Sequence, residues 1–348
     1  MVVGSLTAAG GFIAASFAVR IWQLYLSQGL MVGLGLGLLF IPSVQVLPQW
    51  FLKRRSLVGG IASAGSGFGG LAFSLGTNAM IQRLGLGWAL RITGILSLVG
   101  NLIGTALIRD RNHIVKPPQL GFAMHLLRRY DCLLLLAWGF TSMLGYMVIL
   151  YSVSSYAVQV VGLSQAQAGI VTAVLNLGTG IGRPIVGYVS DGYGRIEVAG
   201  AMTLGCSVLV WAFWIPANNY GVLCVFGLLS GAFRCRLDRQ QADRILSGAI
   251  LGVFWMTAAP LCAEVAGLKE VPSFLSIVWL VVVLPTTFAE VVALYLRRPD
   301  MERWAYLYPQ IFAGLAYLVA SGFMFELLRL KRRGRLMSQR PEISQVGA

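Results

Sequence analysis

The sequence predicts an all-α, polytopic membrane protein, and three observations carry that prediction. Apolar residues make up 57% of the 348 positions and charged residues only 11%, against about 25% charged in a soluble domain. The apolar residues come in long runs, apolar on every side, whereas a transmembrane barrel alternates over segments of about 10 residues. The 27 Lys+Arg outnumber the 13 Asp+Glu, and the basic residues gather in short loops between the runs. A single water-soluble globule is excluded, because it could not hide that much apolar surface. Disorder is excluded as well, since it needs low hydrophobicity. In a soluble chain the net charge of +14 would point to nucleic acid. Here it reads as the positive-inside bias of membrane loops, with a lipid bilayer as partner and no nucleic acid.

A span needs about 20 apolar residues to cross a hydrocarbon core of roughly 30 Å. Apolar segments lie at 2–19, 22–48, 57–82, 88–108, 131–156, 165–190, 196–216, 221–232, 250–265, 271–296 and 307–328. Two of them, 221–232 and 250–265, are too short to span alone. Between them, residues 233–249 carry Arg234, Arg236, Asp238, Arg239, Asp243 and Arg244. Ser-Gly-Ala stands at 230–232 and again at 247–249, so removing 17 residues joins Leu229 to Ile250 through one Ser-Gly-Ala. The result is a single apolar helix of 28 residues, like its neighbours. Ten spans are expected on that basis. The 17 codons keep the reading frame, and the codons at 231–233, 241–243 and 246–248 can spell a splice donor, branch site and acceptor. The segment 233–249 is therefore expected to be a translated intron, forming an irregular or polar-helical excursion. A genuine loop that breaks the helix is the alternative.

Topology follows from the basic residues. Alternate ends of the spans collect 16 Lys/Arg on one side, at 53–55, 109–129, 195, 269 and 329–340, and 5 on the other. The richer side is expected to be cytoplasmic, with both termini there. The polar connection 109–130, containing Pro117-Pro118, divides the chain into 1–108 with four spans and 131–328 with six, followed by a basic tail at 329–348. Four against six, and an apolar run starting at Met1, suggest an incomplete first half. The five cysteines show no metal or disulfide spacing. Neither metal, cofactor nor catalytic constellation is expected, so the chain is read as a non-enzyme.

Two stretches go beyond hydropathy. Gly182-Arg183-Pro184-Ile185-Val186-Gly187-Tyr188-Val189-Ser190-Asp191-Gly192-Tyr193-Gly194-Arg195 resembles the Gly-x-x-x-Asp-x-x-Gly-Arg loop signature of the major facilitator superfamily, in its second-half copy. Trp50-Phe51-Leu52-Lys53-Arg54-Arg55-Ser56-Leu57, continuing into Gly59-Gly60 and Ala64-Gly65-Ser66, looks like the fifth-span signature of the monocarboxylate transporter family. Ile21-Trp22-Gln23-Leu24 and Leu284-Pro285-Thr286-Thr287-Phe288-Ala289-Glu290 resemble fungal members. The resemblance implies a major-facilitator-type bundle with about ten of the usual twelve helices, spans three to twelve, and the first-span signature missing. It also implies a permease for a monocarboxylate or riboflavin-like metabolite, cycling by alternating access, often as a proton symporter. A plasma or vacuolar membrane would suit it.

The gate is expected at Gly187, Asp191, Gly194 and Arg195, with Arg54, Arg55 and Glu264. Gly187 admits a close helix, Asp191 meets a partner helix N-terminus, Gly194 turns the chain, and Arg195 makes a breakable ion pair with Glu264. The substrate residues are expected to be Arg183, Asn176, Tyr146, Trp255 and Glu290. Ionisable residues within spans are functional candidates because burying charge in lipid is costly. Arg183 offers a planar fork to a carboxylate, although Thr179 stands where animal relatives carry an Asp. Asn176 is seven residues earlier on the same helix face. Tyr146 and Trp255, like Tyr151 and Trp279, can stack on a flat substrate or pack the core. Glu290 reads either as a protonatable coupling group or as a helix-packing acid held by a hydroxyl. Alternative functions are a membrane sensor on the same fold, or an inactive product.

Overall fold

The computed structural model describes residues 1–51, 53–111, 123–217, 221–223, 226, 233–235, 246–248 and 253–346. Among them the chain is helical apart from one short two-stranded ribbon. Eight helices are long and apolar enough to cross a membrane, and two shorter apolar helices, Val2–Ala15 and Val253–Val265, accompany them. In chain order the helices are α1 (Val2–Ala15), α2 (Ile21–Trp50), α3 (Arg55–Leu84), α4 (Leu86–Leu107) and α5 (Tyr130–Gln159). Then follow α6 (Gln165–Tyr193), α7 (Arg195–Trp214), α8 (Val253–Val265), α9 (Val271–Leu296) and α10 (Leu307–Val346). The chain is a multi-pass helical membrane protein.

The contacts form two compact units. The first holds Met1–Leu52 and Gly69–Lys116; the second holds Lys53–Phe68 and Pro117–Ala348. The first four turns of α3 thus pack with the C-terminal helices. In the first unit α1 lies against α2 and α4. Its crossings use small residues, Ala8 facing Gly35 and Ala9 facing Gly94, which is how membrane helices approach without a hydrophobic drive. In the second unit α10 packs on α5 and α7, and α9 packs on α5. Trp138, Trp214, Tyr306, Phe226 and Phe274 fill its interior.

Local chemistry sets the ends of α6, which carries most of the candidate site. Ser164 caps its start: the hydroxyl accepts from the Gln167 N–H at 3.3 Å, and the Gln167 side chain accepts from the Ser164 N–H at 3.0 Å. Gly194 ends it with φ of 117°, a region that favours glycine, and α7 begins at the next residue.

The polar segment differs from the expected irregular or helical excursion. Its ends form strands β1 (Phe233–Cys235) and β2 (Leu246–Gly248), antiparallel, with Phe233 opposite Gly248. β2 runs alongside α6. A two-stranded ribbon satisfies backbone groups across strands where charge forbids a lipid-facing helix. Residues 236–245 and 249–252 lie outside the described residues, as do 112–122 of the central connection and 347–348 of the tail.

Candidate functional site

Arg183 is 4% exposed. Its Nη1 donates to the Ser63 carbonyl at 2.7 Å and to the Ser66 hydroxyl, both on α3. The Tyr146 hydroxyl of α5 interacts with it electrostatically. All these partners are neutral, and Nε has no hydrogen-bond partner. Among the described residues no carboxylate pairs with this guanidinium. At the position one turn earlier, Thr179 donates to the Asn176 carbonyl at 2.8 Å. α3 comes this close because its facing side is small. A Cβ at Gly60 would strike the Arg183 carbonyl, and one at Gly67 would lie 2.6 Å from the Asn176 carbonyl.

An aromatic group adjoins the cation. Tyr146 meets Trp255 edge-on at 6.4 Å, and Trp255 stacks on Trp279 at 5.6 Å with planes 23° apart. Phe254 stands edge-on to both tryptophans. Burying a guanidinium without a counter-charge costs several kcal/mol. The arrangement can therefore gain from an anion, and the rings offer flat apolar surface beside it.

A charge network closes the other end of α6. The Asp191 carboxylate accepts from the N–H groups of Ser56 at 3.1 Å and Leu57 at 2.9 Å, in the first turn of α3. Those donors carry the positive end of the helix dipole, equivalent to about half a charge. A Cβ at Gly187 would strike the Ser56 carbonyl, so this approach requires glycine. Arg195 donates from Nε and Nη2 to Asp191, both at 3.2 Å, and its Nη1 lies 3.9 Å from Glu264 of α8. The other Glu264 oxygen pairs with Lys331 of α10. Arg55 lies within the field of Asp191 and Arg195; Arg54 is exposed. Just before α5, Arg129 donates to Asp131 at 2.7 Å and to the Val265 carbonyl at the end of α8 at 2.8 Å. The Asp131 hydrogen bond raises the Arg129 guanidinium above its ordinary value.

Comparison with known proteins places this geometry. No family model matches the chain. Over 325 residues it is 34% identical to "Probable transporter MCH2" of Saccharomyces cerevisiae, covering 92% of this chain and 65% of that protein. Over 244 residues it is 34% identical to "Uncharacterized transporter ESBP6" of the same yeast, covering 67% and 36%. It is 27% identical over 321 residues to the MFS-type transporter opdF of Penicillium oxalicum, covering 92% and 71%. Among solved structures it matches the Escherichia coli fucose:proton symporter FucP with a TM-score of 0.69 at 13% identity, over 94% of this chain and 82% of that one. The fold is the one seen in that symporter, a helical bundle of the major-facilitator type. The chain spans less than two thirds of the length of both yeast relatives.

Within this major-facilitator-type fold the sequence-predicted residues, apart from the exposed Arg54, fall into three places. Arg183, Tyr146 and Trp255 come together, with Asn176 contributing its carbonyl at the same helix crossing. Asp191, Arg195, Gly187, Arg55 and Glu264 form the charge network, with Gly194 at its turn. Glu290 stands apart: it is half-buried and accepts from the Ser152 hydroxyl at 3.1 Å. Sequence reasoning missed Ser63, Ser66, Lys331 and Ser152. Ser63 lies between Gly60 and Gly67 at helical spacing, a signal that would have marked the face turned to α6.

Proposed function

We propose that this chain belongs to a secondary transporter that carries a small organic anion or a related metabolite, monocarboxylate or riboflavin-like, by alternating access. One observation carries the reading: a buried guanidinium with only neutral partners, beside a wall of aromatic rings. Arg183 takes the carboxylate, Tyr146 orients it, and Trp255 and Trp279 pack the flat body of the substrate. Asn176 borders the same crossing. The Asp191–Arg195–Glu264 network is the latch that opens during the cycle; its pairs are reachable by water and breakable. Glu290, bonded to a hydroxyl instead of a cation, is the group that would take up a proton in symport. The basic ends of the spans face the cytoplasm in this reading, in a plasma or vacuolar membrane. Residues 1–108 and 131–328 supply the two halves, and 233–249 is a removable insert.

The test is ligand binding to the purified chain, read by tryptophan fluorescence. Benzoate, lactate and riboflavin are titrated, with methyl benzoate as the uncharged control. Saturable quenching by at least one anion is expected, with none by the ester and a response at least about 30-fold weaker in Arg183→Gln. Equal responses to benzoate and its ester would remove the anion reading.

A further inference from the structure

The Tyr317 side chain of α10 is not used by the site described so far. It is 3% exposed, and its hydroxyl has no hydrogen-bond partner. Its ring is wedged on α5: a Cβ at Gly145 would lie 2.7 Å from the ring edge. The Tyr317 side chain lines a small cavity together with Ser142, Tyr146, Thr203 and Cys206. The nearby Cys206 thiol interacts with it, but sulfur is a weak acceptor. Thr203 already accepts from the Trp138 indole at 3.1 Å and donates to the Ala199 carbonyl at 2.7 Å. Ser142 donates to the Gly139 carbonyl at 3.2 Å, which leaves its lone pairs able to accept. Tyr146 interacts electrostatically with both Tyr317 and Arg183. The cavity has room for about one water molecule, and a buried water needs two to four polar partners.

We propose that this cavity is a water site, and that through its water Tyr317 positions the Tyr146 hydroxyl on Arg183. A water there accepts from the Tyr317 and Tyr146 hydroxyls and donates to Ser142. With its proton committed to that water, the Tyr146 hydroxyl keeps its lone pairs turned toward the guanidinium. Tyr317 is thus a positioning residue, one helix removed from the anion. This inference rests on the anion reading of Arg183.

Two arms test it on the full 348-residue chain. In a density map that resolves waters, a peak within hydrogen-bond distance of Tyr317 Oη is expected; an empty cavity there overturns the proposal. The second arm is a double-mutant cycle with benzoate. Tyr317→Phe is expected to weaken benzoate about fivefold, and to add nothing once Tyr146→Phe is present, because residues sharing a network couple. Independent, additive losses would mean that Tyr317 acts by packing alone, and would overturn it. Ser142→Ala removes another water partner without touching the ring, and the same coupling to Tyr146 is expected if Tyr317→Phe fails to fold. If benzoate does not bind the unaltered chain, the anion reading is what fails, and the water peak alone decides this proposal.

Discussion

α6 and α8 face the same problem and solve it differently. Both come from apolar stretches interrupted by charge, and both carry candidate site residues: Arg183 and Asp191 on one, Trp255 and Glu264 on the other. α6 runs unbroken for 29 residues through Arg183 and Pro184. α8 has only 13 residues and starts after the polar segment. The difference lies in number and partners. One guanidinium is held by hydrogen bonds to two serines of α3, with a tyrosine of α5 in its field. Six ionisable residues within 233–249 would each cost roughly 2.5–3.5 kcal/mol at a span centre. No helix crossing supplies six sets of partners, so the chain leaves the helix and pairs with itself as β1 and β2. A membrane helix tolerates a charge only where neighbours are already placed to receive it.

The sharpest way to break that comparison is to delete residues 233–249. The joined helix should complete α8, and thermal denaturation followed by fluorescence size-exclusion should show a midpoint raised by about 5 °C or more, since 1 kcal/mol moves a chain of this size by a few degrees. Mature transcripts should lack the corresponding codons. An unchanged or lower midpoint, with messages that all retain the segment, would make it a genuine part of the fold. The next largest effect is at the charge that α6 does tolerate. Arg183→Gln should weaken benzoate binding about 30-fold or more, as expected for removing one side of a buried charge pair. Arg183→Lys should still lose about tenfold, because an ammonium lacks the fork. Full affinity in the lysine variant would exclude a bidentate contact.

These elements also mark what could be read from the sequence. The spans were legible as apolar runs, and the approach of Asp191 to Ser56 and Leu57 was legible from the signature, because a carboxylate at a helix end seeks backbone N–H groups. The Ser63 and Ser66 contacts were not legible. They depend on the register between α3 and α6, which the Gly60 and Gly67 contacts set in three dimensions. Lys331 was hidden because it lies beyond the apolar part of α10, where charge alone does not say which carboxylate is near. The ribbon was missed because strand pairing depends on two segments separated by residues that look helical or irregular.

A smaller effect is expected at the latch. Asp191→Asn removes a charge from four hydrogen bonds, and bonds to charged groups contribute about 1.5–3 kcal/mol. Ser190 is fully buried beneath it. Maleimide labelling of Ser190→Cys should therefore accelerate about tenfold when Asp191→Asn is added. Glu264→Gln should accelerate it only about threefold, because its pair with Arg195 is long at 3.9 Å. Equal labelling rates in all three backgrounds would show that the network does not hold α3 against α6.

The smallest effect on affinity is expected at Glu290, the intramembrane acid that sits away from Arg183. Its carboxylate accepts from Ser152 at 3.1 and 3.3 Å, and a Gln amide oxygen can accept the same bond. Glu290→Gln should therefore change benzoate affinity at fixed pH by less than about twofold, which is within the range of a neutral surface change. Its signature should lie in the pH profile of uptake instead. If Glu290 carries the coupled proton, uptake by the unaltered protein falls as pH rises and the carboxyl loses its proton. Glutamine imitates the protonated form at every pH, so the profile of the variant should be flat. A profile that keeps its slope in Glu290→Gln would assign Glu290 to holding α9 against α5 through Ser152, and would move the coupling proton elsewhere.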